Sequence, residues 1–452
     1  MKNKIIVFVT IVFFCLSCKK GWLEEKQDIK LIVPTTLNDL DLLLNVNEFQ
    51  YDGRGAGETS SDDYEFTLEQ FNQLFYGFDR DFIVWKTERN LDNLPIQQNE
   101  WKCAYTQIQI CNVVLKRLSS ITRTENNKAD FDRIYGTALY HRSKQFLNMV
   151  MSFSKYYDKN TSNSDLGIPI KLDDDIAEEI KRATVEQTYQ QIIQDLKLAA
   201  HYLPVSQIDY SRVAKGGAFA LLSRTFLFMD NYNEAKKMAD SSLKYHSFVE
   251  DFNLITNTSG SRPLNLRSKE IHVSAIMVKP SSNPSIGRIN SSLYNQYEDS
   301  DLRKMLFFRK ESDGKVTFRG HFMNNLFTGT TTGEVLLILA ECKARLGDKN
   351  GALEALNTLE VNRYKKTEFI PFTAISEVEA LKIILQERRK ELLTRGLRWQ
   401  DLKRFNRDPQ FAQTLVRRIG NETYSLAPND VKFVLPIPQF VINFNKIQQN
   451  QY

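Results

Sequence analysis

Residues 385–405 read LQERRKELLTRGLRWQDLKRF. Glu387, Arg388, Arg389 and Glu391 place alternating charges on one predicted helix. Gly396 offers that helix a left-handed stop, since only glycine takes positive φ without a Cβ penalty. Trp399 and Leu402, three apart, then pack a following helix back onto the first. Charges that alternate in this way read as a satisfied ion-pair network before they read as a catalytic site. The string reads as structural, a charged helix whose ions satisfy one another, with a second helix packed back on it.

Helical periodicity continues upstream. Trp101, Tyr105, Ile108, Asn112, Leu115 and Leu118 recur at three- and four-residue steps, and Phe131 to Phe153 carries a longer apolar stripe. In TVEQ, Thr184 and Gln187 have the spacing of a capping box, followed by the apolar face Val185, Tyr189, Ile192, Ile193, Leu196 and Ala199. FALLSRTFLFMDNYNEAKKMADSSL (219–243) and LLILAECKARLGDKNGALEALNTL (336–359) each read as helix, short turn, helix. Their small and apolar residues fall where a tetratricopeptide repeat has its packing positions. Between them, from about Ser247 to Thr332, ITNTSGSRP, KPSSNPSIGR and TGTTTG bring turn chemistry. A second loop-rich and more aromatic stretch runs from about Phe49 to Asn99.

The N-terminus has Lys2 and Lys4, an apolar run from Ile5 to Leu16, then Ser17-Cys18. That run is too short to span a bilayer, which takes about 20 helical residues, and fits a secretory signal. Its end resembles a bacterial lipobox, with Cys15 where leucine is preferred, so Cys18 is the expected lipidation site. The expected organisation is 1–17 signal peptide, 18–33 lipidated tether and 34–452 a single body. Within the body, about 34–246 is a helical part, 247–332 a loop-rich insertion and 333–452 a C-terminal part. Cys103 and Cys111, eight apart on one predicted helix, are too distant for a disulfide. With Cys342 they are expected as buried thiols.

Lys and Arg (60) nearly balance Asp and Glu (55) and are interspersed, which argues against a nucleic-acid binder. The five histidines show no metal-like spacing, and no phosphate loop or G-x-S-x-G elbow occurs. Asp173 to Asp175 with Glu178 and Glu179 lack the ligand spacing and glycine of an EF-hand. The expectation is a binding protein with no catalytic residues, metal or cofactor. The 29 Phe and 18 Tyr supply both core and stacking platforms.

The opening string closely resembles the signature helix of the SusD/RagB family, outer-membrane nutrient-binding lipoproteins of the Bacteroidetes. DLR (301–303), EVLLILAECKARLGD (334–348), RATVEQTYQQIIQDLKLAAHYLP (182–204), AKGGAFALLSRTFLFM (214–229) and the ending LPIPQFVINFNKIQQNQY also look like that family, in its order. The resemblance implies a mainly α, SusD-like fold: tetratricopeptide-type helix pairs forming a rigid scaffold, plus a loop-rich, irregular ligand-binding face. It further implies a lipid-anchored protein of the outer membrane, exposed at the cell surface, that captures a glycan. The glycan would pass to a SusC-like TonB-dependent transporter. A peptide-binding member of the family, or a tetratricopeptide-type scaffold for protein partners, is the alternative. Ligand residues in the family tend to come from the two loop-rich stretches. Here that points to Trp85 and Tyr294 as stacking platforms, Tyr297 as a further aromatic, and Asp63 and Asn90 as hydrogen-bond partners. Phe66, Phe75 and Phe82 are expected in the core.

Overall fold

The computed structural model describes residues 34–451 other than 75–76, 88, 90–91, 93–98, 259, 261–262, 265–266, 279–286 and 323–325. The expected signal peptide, Cys18 and the tether, as well as Phe75 and Asn90, lie outside the described residues. The described residues form sixteen α-helices and six two-stranded sheets, a mainly α fold.

A stack of long helices makes the frame. Helix α1 (Glu100–Leu118) packs on α2 (Lys128–Phe153), α2 on α3 (Val185–Tyr202), α3 on α4 (Lys215–Leu227) and α4 on α5 (Tyr232–Tyr245). The stack continues through α6 (Thr332–Arg345), which packs on α5, on α7 (Lys349–Glu360) and on α8 (Glu377–Glu391). Thr184 caps α3 as its spacing predicts: its hydroxyl accepts from Gln187 N at 3.1 Å, and the Gln187 side chain accepts from Thr184 N at 2.9 Å. Fully buried Ala235 and Ala239 on α5, Ala340 on α6 and Ala352 on α7 let these helices approach closely. The two tetratricopeptide-like pairs, far apart in sequence, are neighbours in space because α5 meets α6 directly. The chain between them leaves the stack and returns to it.

Helix α6 is buried from Thr332 to Cys342 on every side, its glutamates included. Glu334 takes a bidentate pair from Arg224 on α4, both bonds at 2.6 Å. Glu341 is gripped by Arg404 of α9 (Arg398–Phe405). Buried charges of this kind persist only when paired and hydrogen-bonded.

The charges of the 385–405 string are spent in the same way. Arg388 donates to Asp401 at 2.9 Å. Glu387 and Glu391 face the guanidinium of Arg303, at 2.6 and 3.3 Å. Arg303 also holds Asp301 and Glu360, each at 2.9 Å. The string is therefore structural. Trp399 is fully buried, its ring 4.6 Å from that of Phe433 and its Nε1 donating to Phe433 O at 3.1 Å.

Gly396 corrects one expectation. It does take a left-handed φ of 69°, but α8 already ends at Glu391, and Gly396 closes the following turn together with Thr394 (φ 62°). The demand for glycine is tertiary as well as local. A Cβ there would lie 2.9 Å from Arg54 Cβ and 3.2 Å from Met277 Cε, and its amide donates to Glu58 Oε2 at 2.9 Å. Gly396→Ala is expected to cost about 2–4 kcal/mol in urea unfolding, from positive φ and overpacking together. A midpoint within error of wild type would contradict this account.

Cys103, Cys111 and Cys342 are buried free thiols. Among the described residues no helix is long and apolar enough to cross a membrane.

Candidate ligand-binding face

The two loop-rich stretches fold onto one another. Tyr51 and Asp52 pair in parallel with Ile276 and Met277, and Tyr64 and Glu65 pair antiparallel with Ile289 and Arg288. Each ladder is only two residues long, so side chains supply most of the cohesion. Tyr64, Phe66, Phe307, Phe308, Phe318, Phe322 and Phe327 share one apolar cluster, separate from the core of the helical stack. The rings meet mostly edge to face, as the ring quadrupole favours; Phe307 and Phe318 have centroids 5.4 Å apart at 64°. Phe66 sits in this cluster and Phe82 in the helical core, both buried as the sequence suggests.

The frame reaches into this lobe through arginines. A buried helix, Gly55–Ser60, runs against Trp399, and the Cβ position of Gly57 is 3.2 Å from that ring. Directly after it, Asp62 accepts two bonds from Arg398, at 2.7 and 2.9 Å, and Arg389 lies 3.1 Å away. Burial pushes the Asp62 carboxyl up, but Arg398 and Arg389 outweigh it and hold it well below the usual carboxylate range. Asp63 is 1% exposed and receives Arg389 Nε at 2.9 Å; burial still raises its carboxyl above the ordinary value.

These contacts change the roles expected from the sequence. Asp63 points at Arg389 and ties the lobe to α8, so it is not an open hydrogen-bond partner. Trp85, 2% exposed, is no stacking platform: its backbone is left-handed (φ 54°), and its Nε1 donates to Ser60 O at 2.9 Å. The Arg417 guanidinium lies 5.0 Å from the same ring while donating to Ile83 O. Tyr297, 1% exposed, donates its hydroxyl to Lys390 O at 2.9 Å and meets the edge of Phe308 at 4.9 Å. Large aromatics in polar loops were needed inside, because the lobe has almost no regular backbone to build a core from.

Tyr294 differs. It is half-buried, braced edge-on by Phe308 at 5.1 Å with Lys304 Nζ 5.6 Å from its ring, and part of it stays open to solvent. Ser291, at the start of the same short helix, donates its Oγ to Glu65 at 3.0 Å, and Arg288 pairs with Asp313 at 2.8 Å. Arg389, Arg398 and Arg417 organise the lobe, a task that nothing in their local sequence announces. The acidic partners Asp62 and Asp63, in SSDDY, were the only local hint. Among the described residues no group of His, Cys, Asp and Glu could hold a metal ion.

A stack of helix pairs thus carries an aromatic, loop-built lobe. The chain belongs to the SusD/RagB family: residues 21–227 match the family described as starch-binding associating with outer membrane, and residues 331–452 match the SusD family. No curated protein matches the chain. Solved structures share the fold along nearly its whole length. A SusD-like carbohydrate binding protein from Bacteroides vulgatus is 21% identical with a TM-score of 0.69, over 91% of this chain and 97% of that one. A SusD superfamily protein from Bacteroides thetaiotaomicron is 20% identical with a TM-score of 0.70, over 92% and 100%. One from Bacteroides fragilis is 19% identical with a TM-score of 0.71, over 92% and 99%.

Proposed function

We propose that this protein is a surface lipoprotein, anchored through Cys18, that captures a glycan on its loop lobe and passes it to a SusC-like TonB-dependent transporter. The reading rests above all on the joining of described parts of the two loop-rich stretches, through the ladders at Tyr51–Asp52 and Tyr64–Glu65 and one shared aromatic cluster, into a lobe held by the frame. The family's description as starch-binding and outer-membrane associated supports it. Tyr294 is the stacking surface, with the polar groups beside it taking hydroxyls. Burial of α6 on all sides favours this reading over a scaffold with an open helical groove. The rigid frame supplies preorganisation, which lowers the cost of binding.

Calorimetry of the full chain against soluble polysaccharides is expected to give saturable binding to at least one. Tyr294→Ala is expected to weaken it at least tenfold, about 1.4 kcal/mol. Saturable peptide binding with no glycan response would turn the assignment to the peptide branch. Cys18→Ala is expected to lose acyl labelling and leave the membrane fraction, and retention there with no acyl chain would refute the anchor.

A further inference from the structure

The chain leaves the helical stack directly after α5 and returns to it at Thr332, the first residue of α6. Two histidines sit at that crossing. His246 follows the last residue of α5, and His272 lies in the short strand Ile271–Val273, which pairs antiparallel with Thr330 and Thr331. Their rings stack, with centroids 4.3 Å apart and planes at 27°. Ile271 packs in the apolar cluster of the lobe and Val273 in that of the stack, so the strand carrying His272 joins the two cores.

The start of α4 makes room for the pair. A Cβ on Gly216 would lie 3.0 Å from His246 Cβ, and one on Gly217 would lie 3.5 Å from His272 O. His246 Nε2 is 2.6 Å from Lys269 O, and because a carbonyl only accepts, that nitrogen carries the hydrogen. His272 is 1% exposed; its Nε2 is 3.3 Å from Thr332 Oγ1, and its Nδ1 makes no well-formed hydrogen bond among the described residues. Gln207 Nε2 donates to His272 O at 2.7 Å and Thr332 N to Glu270 O at 3.0 Å, so bonds to the main chain close a seam around the rings.

The charges on the surrounding elements are engaged elsewhere. Glu270 is held by Arg363 at 2.8 Å and Glu334 by Arg224 at 2.6 Å. Glu250 accepts from Ser268 Oγ, and Arg212 pairs with Asp41 at 3.0 Å. Lys215 Nζ lies 5.9 Å from the Tyr245 ring, and Lys244 and Lys269 are exposed. A proton on either ring therefore sets a cation against its neighbour with no acid committed to it, and on His272 it leaves the Nδ1 hydrogen without a well-formed bond. Burial first, then His246, hold the His272 imidazole well below its ordinary range, against the Gly216 carbonyl.

We infer that the His246–His272 stack is an acid-sensitive latch: protonation parts the rings and releases the seam between 271–273 and 330–332, so that the lobe can move against a frame that stays folded. The closed stack binds fewer protons than the opened one. Its contribution is thus complete above the ordinary histidine value of about 6.5 and is lost as pH falls below it. The test is hydrogen exchange of the full chain at pH 7.5 and pH 5.0, corrected for intrinsic rates. Protection at 271–273 and 330–332 is expected to fall at least tenfold more than that of α3; one imidazole of ordinary value in the opened state allows about thirtyfold at pH 5. His246→Gln, at a half-buried position, keeps a donor for Lys269 O and is expected to reduce that fall at least threefold. Adding His272→Phe, which keeps a flat ring, is expected to abolish it. The inference is overturned if the seam and α3 lose protection together, or if the fall is undiminished in His246→Gln.

Discussion

Replacing Arg303 by methionine is expected to cost the protein at least about 3–5 kcal/mol, the usual loss when one partner of a buried ion pair is removed. Arg303 is fully buried and faces four carboxylates: Asp301, Glu360, Glu387 and Glu391. Lys390 supports Asp301 at 2.8 Å and Glu387 at 2.9 Å, but cannot replace the guanidinium at Glu360. Burial, with Glu387 and Glu391 nearby, already pushes the Glu360 carboxyl well up although Arg303 opposes it. Without Arg303 more of these acids must bind protons to stay buried. Folded-state values above the unfolded ones mean that stability is lost as pH rises from the unfolded value up to the folded one. Arg303→Met should therefore recover part of its loss at pH 5 relative to pH 8 in urea unfolding. Arg303→Lys keeps the charge but not the planar fork, and should fall between the two. A loss under 1 kcal/mol at pH 8 would mean that the network is not what binds the 301–303 segment to α7 and α8.

Glu58→Gln is expected to act in the opposite direction, and only at high pH. Glu58 is buried between Tyr64, whose hydroxyl donates to it at 2.8 Å, and the amide of Gly396 at 2.9 Å. Burial first, then the nearby charge of Asp63, raises its carboxyl from 4.5 to about 8, against the hydrogen bonds and Arg54. The folded state thus binds a proton that the unfolded state releases, so wild-type stability falls between about pH 4.5 and 8 from this group. A glutamine keeps the neutral shape: its oxygen can accept from Gly396 and its amide can donate to Tyr64. Unfolding free energies should coincide near pH 5, and the variant should exceed wild type by about 3–5 kcal/mol above pH 8, at about 1.4 kcal/mol per unit. Parallel pH profiles for the two proteins would show that Glu58 ionises freely in the folded state.

Both predictions concern the junction of frame and lobe, and that junction is where sequence reading lost its grip. The helices were legible because each announces itself locally: the Thr184–Gln187 box, the small residues of the paired helices and the apolar stripes of α1 to α3 all reflect a period of 3.6. The ion-pair reading of 385–405 was legible because a helix cannot leave so many charges buried without partners. The partners themselves were not legible. Arg389 meets Asp63 across 326 residues of chain, and Arg417 meets Ser61 across 356. Nothing in the local pattern encodes such a distance.

The aromatics of the loops show the same limit. Trp85, Tyr294 and Tyr297 look alike in sequence, each a ring in a polar setting. Their environments differ because of which surfaces arrive from elsewhere: Arg417 and Ser60 close over Trp85, Lys390 and Phe308 over Tyr297, while Tyr294, braced by Phe308 and Lys304, keeps part of its surface open.

The sequence by itself determined the helical frame, its caps and its close-packed pairs, because local periodicity and short-range chemistry suffice for these; the family was legible only through the resemblance of whole strings. Only the tertiary structure decided which rings are core and which remain open, and which acid faces which arginine. Burial and pairing are properties of what surrounds a side chain, and here the surroundings come from segments hundreds of residues away.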